Sequence, residues 1–194
     1  MISLAATEVP GWKLDCGRNS PMRTQISCLD ISRAYFNARV DDDVSTYVSL
    51  PAEDPDHGES CGKLLRHMYG TRAAADGWQE EYSSTLVSKL GFRQGISCPC
   101  VFHHVGKQIV VNVHGDDFTA LGDEGNLDWF REKISGKYEV KFRGRLGPSP
   151  EDDKSIRILN RVVEWTGRGI RYEPDQRHAD IIVRELGLNE GKKG

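Results

Sequence analysis

The chain has no apolar run near the ~20 residues that a membrane-spanning helix needs, no dense even set of cysteines, no internal repeat and no excess of positive charge. The first absence excludes a helical membrane span and leaves no membrane partner to expect. The five cysteines are an odd number spread along 194 residues. They do not make the disulfide framework of a small secreted domain, so reduced thiols are expected. Residues 1–14 include Ile2, Leu4, Ala5 and Ala6 but neither a basic leader nor a sustained apolar segment. A secretory signal is therefore not expected, and the protein reads as intracellular. A net charge of −3 excludes a surface that is basic throughout, so any contact with nucleic acid has to be local. The basic side chains do cluster, at Lys133, Lys137, Lys141, Arg143 and Arg145, while 41–43 and 151–153 are acidic. That basic stretch reads equally well as a duplex-facing surface and as a solvated, edge-protecting strand.

What is present suits one globular domain with a sizeable core, or one domain with a small appendage: 38% hydrophobic and 28% charged residues. Trp78, Tyr82, Leu86, Val87 and Leu90 recur at three or four, which predicts an amphipathic helix over 73–90 ended by Gly91. Asp123 opens a second predicted helix with Leu127, Phe130 and Ile134 on one face, stopped at Gly136. A third is expected over 175–186. Strands are expected at 26–31, 46–50, 100–104, 109–113, 118–121, 139–143, 156–159 and 162–165, with a helical turn at 33–37 and a surface loop at 54–62. Residues 1–14 could include the end of a helix. Helices alternating with hairpin-linked strands predict an α+β fold, with helices packed on one face of an antiparallel sheet.

The segment most suggestive of chemistry is 110–121, where two apolar strand-like runs flank His114-Gly115-Asp116-Asp117. This predicts a β-hairpin with neighbouring carboxylates at or just past its turn. Aspartate is common after hairpin turns, so the pair alone says little. Asp30 adds weight, because a charge within the apolar strand around Cys28-Leu29-Asp30-Ile31 needs compensation. If the two segments are sheet neighbours, Asp30, Asp116 and Asp117 meet at one edge. They could then hold two Mg²⁺ ions (or Mn²⁺) about 4 Å apart, an arrangement suited to in-line phosphoryl chemistry.

The run Leu29-Asp30-Ile31-Ser32-Arg33-Ala34-Tyr35-Phe36-Asn37-Ala38 resembles the first catalytic motif of copia-type retrotransposon reverse transcriptases. Met68-Tyr69-Gly70-Thr71-Arg72-Ala73-Ala74-Ala75-Asp76-Gly77-Trp78 is similar to that family's Leu-Tyr-Gly-Leu-Lys-Gln-Ala-Pro-Arg-Ala-Trp. Leu90-Gly91-Phe92 and Ser97-Cys98-Pro99-Cys100-Val101-Phe102 follow in the family's order, and His114-Gly115-Asp116-Asp117 stands in the place of its Tyr-Val-Asp-Asp. The resemblance spans about 29–188 and lies in the succession of motifs.

It implies an RNA-directed DNA polymerase with a polymerase palm, followed by a partial connection or thumb-like region. The corresponding divisions are an N-terminal remnant at 1–28, a palm-like catalytic region at 29–145 and the C-terminal strands and helix at 146–194. It further implies Asp30, Asp116 and Asp117 as catalytic metal ligands, and Tyr35 and Arg72 at the nucleotide, with the bulk of Tyr35 excluding a 2′ hydroxyl. Lys141 becomes a candidate proton donor to pyrophosphate, and Trp78 packs the helix on the sheet. The implied partners are a primer-template duplex, deoxynucleoside triphosphates, and the integrase and RNase H regions of a Pol polyprotein.

The departures are His114-Gly115 in place of tyrosine and valine, Ala73 and Ala75 in place of glutamine and proline, and few residues before Asp30 where the family's fingers stand. They make a fragment or decayed copy the natural reading. Two rivals follow. One is an inactive relic of the fold that binds nucleic acid or protein. The other is a zinc site from Cys98, Cys100, His103, His104 and His114, whose spacing matches no usual zinc pattern.

Overall fold

The structure, a computed structural model, describes residues 24–41, 43, 45–173 and 176–187. The expectations for 1–14 and for the closing Gly-Lys-Lys-Gly lie outside the described residues. Eleven strands and three helices follow one another among the described residues. They are β1 (Gln25–Ile31), β2 (Tyr47–Ser49), β3 (Cys61–Lys63), α1 (Ala74–Ser84), β4 (Arg93–Gln94), β5 (Val101–His104), β6 (Ile109–His114), β7 (Asp117–Gly122), α2 (Glu124–Ser135), β8 (Val140–Leu146), β9 (Ser155–Ile158), β10 (Arg161–Thr166), β11 (Gly169–Tyr172) and α3 (Gln176–Glu185).

Six strands make one antiparallel sheet in the order β4-β5-β6-β7-β1-β8. Strand side chains alternate between faces, and here the alternation feeds two cores. Leu29, Ile31, Val111, Val113, Phe118 and Ala120 point to one face, where Trp78 and Tyr82 of α1, Leu86 just past its end, and Leu127, Phe130 and Ile134 of α2 bury them. Ile26, Cys28, Val110, Leu121 and Leu146 point to the other, against Ile156 and Val163 of a three-stranded sheet, β9-β10-β11. The fold is thus mixed α and β, with antiparallel sheets and both sheet-packing helices on one face of the main sheet, as the sequence pattern predicts.

Local chemistry sets the helix ends. Asp123 caps α2 by accepting a 2.9 Å hydrogen bond from the Asn126 amide. The predicted helix over 73–90 is regular only to Ser84 and then widens by one residue per turn over Thr85–Lys89. Its Thr85 hydroxyl accepts from the Tyr138 hydroxyl at 3.0 Å and from the Lys137 ammonium. Gly91, at φ +76, reverses the chain as expected.

The loop expected over 54–62 runs into β3, which pairs with β2. The two-residue β4 and the four-residue β11 carry too little alternation to be read from sequence. The division expected after residue 145 falls inside β8, which stays paired with β1 to Leu146.

Candidate active site

Strand β1 lies between β7 and β8, and the register places Asp30 directly opposite Asp117 on one side and Lys141 on the other. Directly opposed residues of an antiparallel pair project to the same face. The Asp30, Asp117 and Lys141 side chains therefore share the face away from the helices, in line with Cys28 on β1. Asp116 occupies the β6–β7 turn beside Gly115, and its carbonyl accepts from the Ile31 amide at 2.9 Å, which ties the turn to β1. The turn is held from the helix face as well: Trp78 Nε1 donates to the Gly115 carbonyl at 2.8 Å. Trp78 thus packs α1 on the sheet, as expected, and also orients the acidic turn. Gly115 has φ +63 with open space around the position of a Cβ. The departure from valine here places at this turn the residue that accepts such a conformation without strain.

The carboxylates crowd one another. Burial raises the Asp117 pKa above the ordinary carboxylate value, and the charges of Asp116 and Asp30 raise it further, against lowering by Arg143 and His114. Asp30 is mostly covered, at 19% side-chain exposure, and its Oδ2 accepts from Arg143 Nη2 at 2.5 Å. Beneath the acids, burial first and then Asp117 push the Cys28 thiol up to about 12, against a lowering hydrogen bond with Thr119, which leaves it an inert apolar filler. A cleft of about 480 Å³ opens in front, with Asp117, Thr119 and Arg143 on one wall and Arg157 of β9 with Leu159 and Asn160 of the β9–β10 turn on the other.

Tyr35 follows β1 in a short helical turn, and its ring lies 4.3 Å from that of Tyr69. Burial raises the Tyr69 hydroxyl pKa, and Asp116 raises it next, so this aromatic pair borders the acidic turn. Arg72 is exposed in the turn leading into α1 and makes no ion pair with the aspartates among the described residues. The structure therefore brings Asp30, Asp117 and Lys141 to one face, with Asp116 and Tyr35 at its margin, and does not bring Arg72 to them. Sequence reasoning missed Tyr69 and Arg143 as members of this group. A tyrosine before a glycine and an arginine in a basic strand gave no signal of their own.

The donor chemistry fits a hard divalent cation, since carboxylate oxygens are its preferred protein ligands and Asp117 stands in an excess of negative charge. Asp30 and Asp117, opposite one another in register, are the residues that could hold it. Among the described residues, no three Asp, Glu, His or Cys side chains stand close enough together to enclose one ion. This applies to the aspartates and equally to the cysteine–histidine alternative, whose Cys98 and Cys100 are free thiols. The positive charge that meets Asp30 is instead the Arg143 guanidinium.

An antiparallel sheet covered by helices on one face and carrying acidic side chains on the other defines a mixed α/β domain with an open, polar site. Comparison with known protein families matches residues 20–148, roughly two-thirds of the chain, to reverse transcriptase (RNA-dependent DNA polymerase). The chain belongs to that family, which brings nucleic-acid and nucleotide substrates in general. No curated protein matches the sequence.

Proposed function

We propose that this chain is the reverse transcriptase region of a copia-type retrotransposon Pol polyprotein and adds deoxynucleotides to a primer on an RNA or DNA template. The observation that carries the reading is the register pairing of Asp30 with Asp117 on the open face of the sheet, beside the Gly115–Asp116 turn. Asp30 and Asp117, with Asp116 adding charge, are the residues that would hold Mg²⁺ or Mn²⁺. When bound, such ions acidify an attacking hydroxyl and neutralise charge on the phosphates.

The chain's own groups supply the rest. Tyr69 backs Tyr35 and fixes its ring at the margin of the site, where its bulk would stand against a ribose 2′ position. Lys141, opposite Asp30 in the sheet, is the ammonium nearest in register to the acids and suits donation of a proton to a departing phosphate. The guanidinium groups of Arg157 and Arg143 line the cleft and favour a polyanion there. In the intact polyprotein, integrase and RNase H regions would be the neighbours. In this reading 29–145 is the palm and 146–194 the start of a connection or thumb.

Single-nucleotide extension of a labelled primer, on RNA and on DNA templates with Mg²⁺ or Mn²⁺, tests the proposal. The expected result is extension by the parent chain that Asp116→Asn and Asp117→Asn each abolish, with deoxynucleotides preferred over ribonucleotides until Tyr35→Ala relaxes the choice. Extension that survives Asp117→Asn would contradict the assigned site. A parent chain that binds primer-template but never extends it would favour the relic that only binds nucleic acid.

A further inference from the structure

Arg143 is the extra residue of a β-bulge. Leu29 is paired with Phe142 and Cys28 with Gly144, so β8 opposes two β1 residues with three of its own. Bulges re-aim side chains, and this one sends the Arg143 guanidinium to Asp30. The bulge is locked from behind. Gly144 takes φ +144, and a Cβ there would stand 2.5 Å from Asp153 Oδ2. That same oxygen accepts from the Arg145 amide at 2.8 Å, and the Asp153 amide donates to the Arg145 carbonyl at 2.8 Å. The aim of Arg143 is thus built into the backbone, while its side chain stays 50% exposed and free to swing outward. Asp30 is mostly covered and needs an opposite charge at all times. Asp30 is the main group holding the Arg143 charge, by hydrogen bond and by charge, with Asp117 and Asp116 contributing after it.

We propose that Arg143 is a resident counter-ion of the aspartate site, which a divalent cation must displace from Asp30 in order to bind. The inference rests on the reading of Asp30 and Asp117 as cation ligands and goes beyond it by assigning a competitor for that place. Arginine and cation exchange on one carboxylate: the guanidinium swings into the cleft as the ion arrives, where it becomes free to meet a phosphate. Removing a unit positive charge a few ångströms from a divalent ion strengthens binding by about tenfold, even with water-like screening.

The test is Mn²⁺ binding to the full chain, read by the loss of free-ion electron paramagnetic resonance signal, for the parent and for Arg143→Gln, Arg143→Lys and Asp117→Asn. Thermal melts of each check folding. The expected result is about tenfold tighter binding by Arg143→Gln, parent-like binding by Arg143→Lys, and loss of the site in Asp117→Asn. Parent binding that Arg143→Gln leaves unchanged or weakens would overturn the counter-ion role while leaving the aspartate site standing. Equal tightening by Gln and Lys would overturn it too, because charge would not be the cause. Absence of binding to both the parent and Arg143→Gln up to millimolar Mn²⁺ would overturn the aspartate reading and this inference together.

Discussion

Asp117 carries the main electrostatic conflict of the site. Burial, Asp116 and Asp30 together lift its pKa above the ordinary carboxylate value, so the folded state holds this proton more tightly than the unfolded chain does. The associated stabilisation is complete below the ordinary carboxylate pKa and is lost as pH rises through the raised folded value. At neutral pH, without a divalent cation, the ionised Asp117 therefore works against folding. Asp117→Asn is expected to raise the cation-free melting temperature at pH 7. It should also flatten the pH dependence just above the carboxylate range; a lower melting temperature than the parent's would refute this. Gly115 makes a separate point about backbone. Restoring valine at φ +63 forces a β-branched residue into the left-handed region and should cost about 1–2 kcal/mol in chemical denaturation. No loss would mean that the turn adopts another conformation.

At the scale of elements, the site is held by the ends of strands and by one helix. Trp78 is buried in α1 yet reaches the Gly115 carbonyl, so α1 and the acidic turn are coupled. Trp78→Phe keeps most of the packing and removes the donor, and should cost about 1 kcal/mol for that hydrogen bond, with line broadening at Gly115 and Asp116 in amide spectra. A change confined to α1 would show that the bond does not position the turn. Asp123→Ala should cost about 1 kcal/mol through loss of the α2 cap, without effect on cation binding.

Much at this scale was legible in the sequence. The spacing of Trp78, Tyr82 and Leu86 gave α1, its buried face and the turn that extends it, Asp123 gave the start of α2, and alternation around Asp30 and across 110–121 gave the strands that meet at the site. The bulge at Arg143 was not legible, because one inserted residue depends on the Asp153 clamp across the turn and leaves no mark on the periodicity. The short β3, β4 and β11 escaped as well: Cys61–Lys63 and Arg93–Gln94 hold no β-branched or aromatic residue to mark a strand, and Gly169–Tyr172 opens on a glycine turn. The widened helical turn at Thr85 answers to Tyr138 and Lys137, more than fifty residues away. The neighbourhood of Tyr35 and Tyr69 likewise arises only when the loop before α1 folds back on β1.

Across the whole molecule, one sheet serves two cores. The helix face supplies most of the buried aromatic bulk, and the opposite face joins the three-stranded sheet through Leu146, Ile156 and Val163. The site lies on this second face, where the β9–β10 turn overhangs Asp117 and Arg143 to form the cleft. The second core therefore sets the width of the cleft. Leu146→Ala, at a position with no exposure, should cost about 2–5 kcal/mol. Leu159→Ala at the exposed tip should cost within about 0.5 kcal/mol. Equal costs would mean that the small sheet does not pack on the main one in solution. The charge layout fits the same architecture: with a net charge of −3, the chain can attract a polyanion only locally, and Arg143 and Arg157 face the cleft while Lys141 stands beside Asp30.

The position of a divalent cation decides whether Asp30 and Asp117 form the site. Anomalous scattering from crystals grown with Mn²⁺ measures this directly. The predicted result is a peak between the Asp30 and Asp117 carboxylates, with the Arg143 guanidinium moved off Asp30. A peak at Cys98, Cys100 and His103, or ordered Mn²⁺ elsewhere with the Asp30–Arg143 pair intact, would contradict it.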